Sequence, residues 1–347
     1  MEDFKMNEKV LVTGGNGFLG MHIIAQLLAR HYQVRATLRS LDKQAAVRET
    51  LAANHVANLS QLEFSKADLS ADEGWPEAMT GVQFVLSVAS PVFFGKITDE
   101  KKAIQPAING VTRIIKAAQN AGVRKMVMTA NFGGVGFSNF DKQSITDETY
   151  WTDPEQPGLS LYEKSKLLAE KAAWKIINQP GNQLAFSTIN PVAILGPAMS
   201  AHVSGSFGVL ENLMNGSLKR VPNISLNIVD VRDVAKLHIL AMETPAADGQ
   251  RFIATNDGQI TMPEMAAIIR KAEPELANKV PGKRMPDWLI KAGALVSQQA
   301  REAKLLLEIN RNVSNQKARK MLGWQPMATN EGTVLATLAA MRQYGLL

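Results

Sequence analysis

The sequence predicts an α/β protein, a doubly wound parallel sheet carrying a smaller C-terminal lobe. Three observations predict it. Strand-like and helix-like stretches alternate through about the first 190 residues, the rhythm of a parallel sheet with helices on both faces. The first strand-like run passes directly into a glycine-rich turn and then a helical pattern, VTGGNGFLG at 12–20. After about residue 190 the rhythm breaks, and Pro, Gly and Met become frequent.

The elements follow in order. KVLVT (9–13) is a short apolar run, as in a buried strand, and FLGMHIIAQLLAR (18–30) carries helical apolar spacing. QVRATLR (33–39) alternates as a second strand, and LDKQAAVRETLAAN (41–54) is helical. QLEFSKADL (61–69) and VQFVLSVAS (82–90) are the third and fourth strands. From about 99 to 121, Ile104, Ile108, Val111, Ile115 and Ala118 step by four and three along one helix face. Pro106 lies inside that pattern, so the helix either starts there or kinks. KMVMTA (125–130) is the fifth strand, 160–178 a helix and LAFSTIN (184–190) the sixth strand. The dinucleotide-type domain is therefore set at 1–190 and the lobe at 191–347. NIVDVRDVAKLHILAM (227–242) is one more strand–helix pair, expected to return 225–245 to the main sheet.

Composition narrows the function classes. With 46% hydrophobic and 20% charged residues, the chain has the balance of a soluble globular protein rather than a disordered one. The longest apolar stretch, VQFVLSVASPVFF, has 13 residues and a proline, short of the roughly 20 that span a bilayer. The start, MEDFKMNEKV, lacks a basic-then-apolar signal pattern. The absence of cysteine excludes disulfides, thiolate metal sites and a Cys nucleophile, and suits a cytoplasmic location. His22, His31, His55, His202 and His238 are too scattered to suggest a metal site. The net charge of +6 is spread along the chain with no basic run among aromatics, which argues for a small anionic ligand over nucleic acid.

Gly15, Gly17 and Gly20 form G-x-G-x-x-G, and Gly14, Gly17 and Gly20 form a wider version of the same spacing. Glycine allows a tight turn and a close backbone approach to a pyrophosphate. The helix that follows offers free N–H groups to the phosphates. Placed between strand and helix, this is a Rossmann-type dinucleotide cradle formed by Gly14, Asn16, Gly17, Phe18, Leu19 and Gly20. An acidic residue usually closes the second strand of an NAD site. Here Arg39 stands in that place, with Lys43 one turn on. Arginine suits a 2′-phosphate, so the cofactor expected is NADP(H) rather than NAD(H); the alternative for Arg39 is a solvated strand-end charge.

The second constellation is LSLYEKSKLLAEKAAW (159–174). Tyr162 and Lys166 are four apart and share a helix face. Ser160 and Glu163 form a capping-box pattern that starts the helix just before Tyr162. A neighbouring ammonium is expected to lower the phenol's pKa and ready it to protonate a carbonyl oxygen. Lys166 can also hold the nicotinamide ribose.

Together these motifs resemble the extended short-chain dehydrogenase/reductase family, and more closely its dihydroflavonol-reductase-like branch. VRATLRS, KADL, SVASP, INPVAILGP, VDVRDVAKLHI and ARKMLGWQP extend the similarity nearly end to end. The resemblance implies that Arg39 contacts the 2′-phosphate, Asp68 and Leu69 flank the adenine, and Ala89 and Ser90 line the cofactor. It places Pro191 and Val192 at the nicotinamide amide. Such enzymes carry T-S-S at the end of the fifth strand, the second Ser being catalytic. This chain has Thr129, Ala130 and Asn131 there. Asn131 is either a substitute hydrogen-bond donor or a residue that ties down the following GG turn. Thr129 shares the strand face but lies about 6.6 Å back, so it serves the site only if the chain shifts. Phe93, Phe94, Phe132 and Phe137 are candidate walls for an apolar or aromatic carbonyl substrate. The implied activity is NADPH-dependent reduction of an aldehyde or ketone by a monomer or homodimer, with Tyr162 as proton donor. The alternatives are an NADP(H)-binding regulator with little or no catalysis, or a nucleotide-sugar epimerase or dehydratase.

Overall fold

The structure is a computed structural model and describes residues 8–91 and 99–347. Strands β1 (Lys9–Val12), β2 (Gln33–Leu38), β3 (Leu62–Lys66), β4 (Phe84–Ser87), β5 (Lys125–Thr129) and β6 (Ala185–Pro191) follow the predicted order. Beyond them lie β7 (Ala193–Leu195), β8 (Val221–Pro222), β9 (Ser225–Leu226), β10 (Ile228–Asp230), β11 (Arg251–Ala254), β12 (Ile260–Thr261) and β13 (Arg284–Met285). The main sheet has seven strands in the order β11-β6-β5-β4-β1-β2-β3, every pair parallel. From β1 the chain winds outward through β2 and β3, then returns to build the other half from β4. The order therefore reverses between β1 and β4, and a crevice opens at their carboxyl ends.

The pleat explains why the strands are apolar on both sides. Val10 and Val12 enter one core with Ile23, Ile24, Leu27, Ala235 and Ile239. Leu11, Val85, Met126 and Met128 enter the other with Val111, Ile115, Ala169 and Ala173. The helices as far as α7 are α1 (Phe18–Leu28), α2 (Gln44–Ala53), α3 (Trp75–Met79), α4 (Glu100–Asn120), α5 (Leu161–Ile177), α6 (Gly208–Met214) and α7 (Val231–Glu243), and α1, α4, α5 and α7 supply the helical residues just named. α1 and α7 pack together on one face, and α4 and α5 on the other. Such double coverage is what a parallel sheet requires.

One expectation changes. The 227–242 pair divides: β10 joins β7 in a separate two-stranded sheet, and only α7 packs back against α1. The seventh strand of the main sheet is instead β11, which pairs with β6. The helix expected at about 99–121 is α4, which begins at Glu100, is capped by the Asp99 carboxylate and contains Pro106, so of the two alternatives for that proline a start there is excluded. The C-terminal segment is anchored to α7. The Trp324 ring is fully buried and its Nε1 donates to the Asp233 carbonyl at 2.9 Å. Among the described residues, no helix is long and apolar enough to cross a membrane.

Candidate active site

The glycine loop is built by contacts that exclude side chains. Gly14 has φ +71°, the left-handed region. A Cβ on Gly15 would stand 2.6 Å from that of Ala36 on β2, and one on Gly20 would run into the Gly14 carbonyl oxygen. Gly17 precedes α1, and no side chain caps that helix. The N–H groups of Phe18 and Leu19 thus open the helix without a side-chain acceptor, as an anion site needs. Asn16 sits partly exposed beside Gly17. Across the crevice, the Thr13 hydroxyl oxygen accepts from Val88 N–H and Ala89 N–H at 2.8 and 2.9 Å. This draws Ala89 against Gly14 and sets Ser90 at the rim.

Arg39 leaves the end of β2 exposed, and Lys43 is exposed in the single turn Leu41–Lys43. Asp68 follows β3 and accepts from the Ser70 hydroxyl and N–H at 2.7 and 2.8 Å. Those bonds hold its pKa below the usual carboxylate range, and the Arg39 charge adds to the effect. Arg39 and Asp68 therefore border one rim. Leu69 packs against Gly110 of α4.

The catalytic candidates meet at the carboxyl ends of β5 and β6. Ser160 and Glu163 form the predicted capping box, so α5 starts at Leu161 and offers Tyr162 from its first turn. One turn on, Lys166 is buried, and its Nζ donates to the Thr129 carbonyl at 3.2 Å. Burial lowers the Lys166 pKa to about 8, against the pull of Glu170. Glu170 is fully buried and accepts from Thr188 Oγ1 at 2.8 Å, Asn190 Nδ2 at 2.9 Å and Arg251 Nε at 2.9 Å. This ion-paired cluster underpins the helix that carries the tyrosine.

Tyr162 is 47% exposed, yet its phenol pKa is raised. Desolvation is the main cause, followed by the Glu163 charge, and a hydrogen bond with Asn131 works the other way. The expected lowering by Lys166 is therefore not what the structure shows, because that ammonium is directed at the Thr129 carbonyl. The Asn131 side-chain oxygen accepts from Gly133 N–H at 2.5 Å. Of the two readings of Asn131, the turn-tying one is seen directly, through its oxygen.

Thr129 is placed differently. Its hydroxyl meets His238 Nε2 at 2.7 Å, on α7. His238 Nδ1 lies 2.8 Å from the Val234 carbonyl and so carries the proton, leaving Nε2 to accept from Thr129. Burial lowers the His238 pKa to about 4. The Thr129 side chain is thus turned to α7, and only its carbonyl serves the site. Phe132 and Phe137 are buried and pack edge to face at 6.1 Å; Phe93 and Phe94 lie outside the described residues. Pro191 and Val192 are buried at the carboxyl end of β6. His238, Glu170 and Arg251 were not singled out as site residues from sequence. No spacing rule links them, since their partners lie on other elements.

Comparison with known proteins shows the family and the fold. Residues 11–259 match the 3-beta hydroxysteroid dehydrogenase/isomerase family. Cinnamoyl-CoA reductase 1 of Petunia hybrida is 34% identical over 271 residues, 77% of this chain and 78% of that protein. An anthocyanidin reductase of Vitis vinifera is 32% identical over 285 residues, 78% of this chain and 82% of its own. Gre2 of Candida albicans, solved with NADPH, superposes with a TM-score of 0.78 at 28% identity, covering 97% of this chain and 99% of its own. Yeast methylglyoxal/isovaleraldehyde reductase Gre2, also with NADPH, gives 0.78 at 25% identity over 98% and 100% of the two chains. From the cradle, the Tyr–Lys helix and these matches, the chain belongs to the 3-beta hydroxysteroid dehydrogenase/isomerase family, within the extended short-chain dehydrogenases/reductases.

Proposed function

We propose that this chain, an oxidoreductase of carbonyl and alcohol groups, reduces an aldehyde or ketone with NADPH, Tyr162 giving the proton. The observation that carries the reading is the meeting of Tyr162, Asn131 and Lys166 at the ends of β5 and α5, beside an uncapped helix. The reductases among its relatives, and the Gre2 structures that hold NADPH, support it.

The residues fit the cofactor. Added Cβ atoms at Gly15 and Gly20 would disrupt the cradle, and the α1 amides lie open to phosphate. Arg39 and Lys43 would hold the 2′-phosphate, Asp68 and Leu69 would border the adenine, and Lys166 would hold the nicotinamide ribose. When bound, NADPH supplies the hydride. The chain's own part is then acid catalysis and positioning. A phenol pushed up in pKa stays protonated at neutral pH, so Tyr162 enters the reaction as an acid. The Asn131 amide donates beside it, where negative charge develops on the carbonyl oxygen. Lys166, at about 8, remains mostly charged near pH 7, where it donates to the Thr129 carbonyl at the strand end.

The test is cofactor consumption over a panel of aldehydes and ketones, with NADPH and NADH compared for the native chain and Arg39→Ala. We expect turnover with NADPH, and a loss on substitution that falls far more on NADPH than on NADH. NADPH binding without turnover on any carbonyl would overturn the reductase reading. Equal losses with both cofactors would overturn the role of Arg39.

A further inference from the structure

Asp68 and Leu69, the two residues assigned to the adenine, are held by side chains from two helices. The Trp75 ring of α3 is buried, and its Nε1 donates to the Asp68 carbonyl at 2.9 Å and to the Ala71 carbonyl at 3.1 Å. Arg113 of α4 donates through Nη1 to the Leu69 carbonyl, and its Nε pairs with the Asp72 carboxylate. A Cβ on Gly110 of α4 would stand 3.3 Å from that of Leu69, so the bare position lets this side chain lie against the helix. Residues 68–72 are thus tied to α3 and α4 through three carbonyls and one carboxylate.

These ties do what the loop cannot do alone. Its own bonds run from the Ser70 hydroxyl and N–H to the Asp68 carboxylate, and from Ala71 N–H to the Asp68 carbonyl. They shape the turn without fixing it to the body of the fold. Just ahead of it, Ala67 N–H donates to the carbonyl of Leu38, the last residue of β2 and the one before Arg39. The loop therefore hangs between the end of β2 and two helices. A loop held in place beforehand loses less freedom when a ligand settles on it. Removing a donor leaves a carbonyl without its partner and lets the loop move. Neither Trp75 nor Arg113 is among the cofactor-binding residues expected from the sequence.

We propose that Trp75 and Arg113 are positioning residues for the adenine half of NADPH, acting through the backbone of Asp68 and Leu69. The inference rests on the placement of the adenine beside those two residues, and not on turnover. The experiment is calorimetry on the native chain, Trp75→Phe, Arg113→Gln, Arg113→Lys and Leu69→Ala. Trp75→Phe keeps the ring in the core and removes only its donor. One ligand is 2′,5′-ADP, which carries the adenine and the 2′-phosphate; the other is NMN+, titrated in the millimolar range, which carries neither. Affinity for 2′,5′-ADP should fall roughly 3- to 30-fold in Trp75→Phe and Arg113→Gln, spanning the loss of a neutral and of a charge-assisted hydrogen bond. Affinity for NMN+ should not change. Arg113→Lys keeps a charged donor and should recover part of the loss. Residues that merely stabilise the fold would weaken both ligands alike or neither, and either result overturns the proposal. Leu69→Ala separates the clamp from the placement beneath it. Weaker 2′,5′-ADP binding in Leu69→Ala alone would overturn the clamp and keep the adenine at Leu69. No loss in any variant would overturn both, and a native chain that binds no 2′,5′-ADP would overturn the cofactor assignment with them. The carbonyl panel tests the reductase reading separately, and its failure would leave these affinities as they are.

Discussion

The oxygen of the Asn131 carboxamide accepts from Gly133 N–H, and its side chain acts on the Tyr162 phenol. A serine at this position can also cap a short turn through its oxygen and donate through its O–H. Asn131→Ser should therefore keep most of the activity. Asn131→Ala removes the turn bond and the amide donor, and should slow turnover about 10- to 1000-fold if that donor serves the carbonyl, the range for losing an oxyanion-type donor. Steady-state rates at saturating NADPH check this, and an unchanged rate in the alanine variant would reduce Asn131 to a turn residue. Lys166 illustrates a different division of labour. Its ammonium bonds the strand end at Thr129, while Glu170, one turn further, offsets part of its desolvation.

At the scale of elements, the β1 turn and α1 act as one rigid unit. The Gly20 position is closed by the Gly14 carbonyl, so Gly20→Ala forces the turn to move. Overpacking of this kind costs about 1–3 kcal/mol. Urea unfolding with and without NADPH should show lower stability and a smaller gain from the cofactor; a variant matching the native chain in both would contradict the cradle. These local features were legible in the sequence because each is encoded within one short stretch. The glycine spacing at 14–20, the Ser160–Glu163 cap and the Tyr162–Lys166 face all lie within a few residues. Pairing was not legible in the same way. The run at Ile228–Asp230 looks like a strand, but nothing local says that Ala193–Leu195 is its partner. Arg251–Ala254 is only four residues long, and its place beside β6 depends on contacts more than sixty residues away. Buried polar groups were hidden for the same reason. Glu170 and Arg251 read as surface charges until the fold brings them to 2.9 Å, and His238 reads as a stray histidine until Thr129 meets it.

For the whole molecule, stability should depend on pH through groups buried away from their usual pKa. His22 and His238 are both lowered to about 4. The unfolded chain takes up these protons first, so their contribution is complete above about pH 6.5 and is lost as pH falls towards 4. Glu163 and Asp233, raised to about 7 and 6, act oppositely: their contribution is present at low pH and is lost as pH rises through those values. The net curve mixes the two, so the informative quantity is a difference. The stability advantage of the native chain over His238→Gln should shrink by about 2–3 kcal/mol between pH 7 and pH 4. Denaturant unfolding across that range would show it, and a constant difference would contradict a neutral buried His238. The central claim joins two parts of the fold: a cradle that holds NADPH and a tyrosine that completes the reduction. Tyr162→Phe separates them. With NADPH affinity and carbonyl turnover measured on the same preparation, binding should persist while turnover falls about 100- to 10,000-fold. A variant that turns over near the native rate would contradict Tyr162 as the acid, and with it the account of the site.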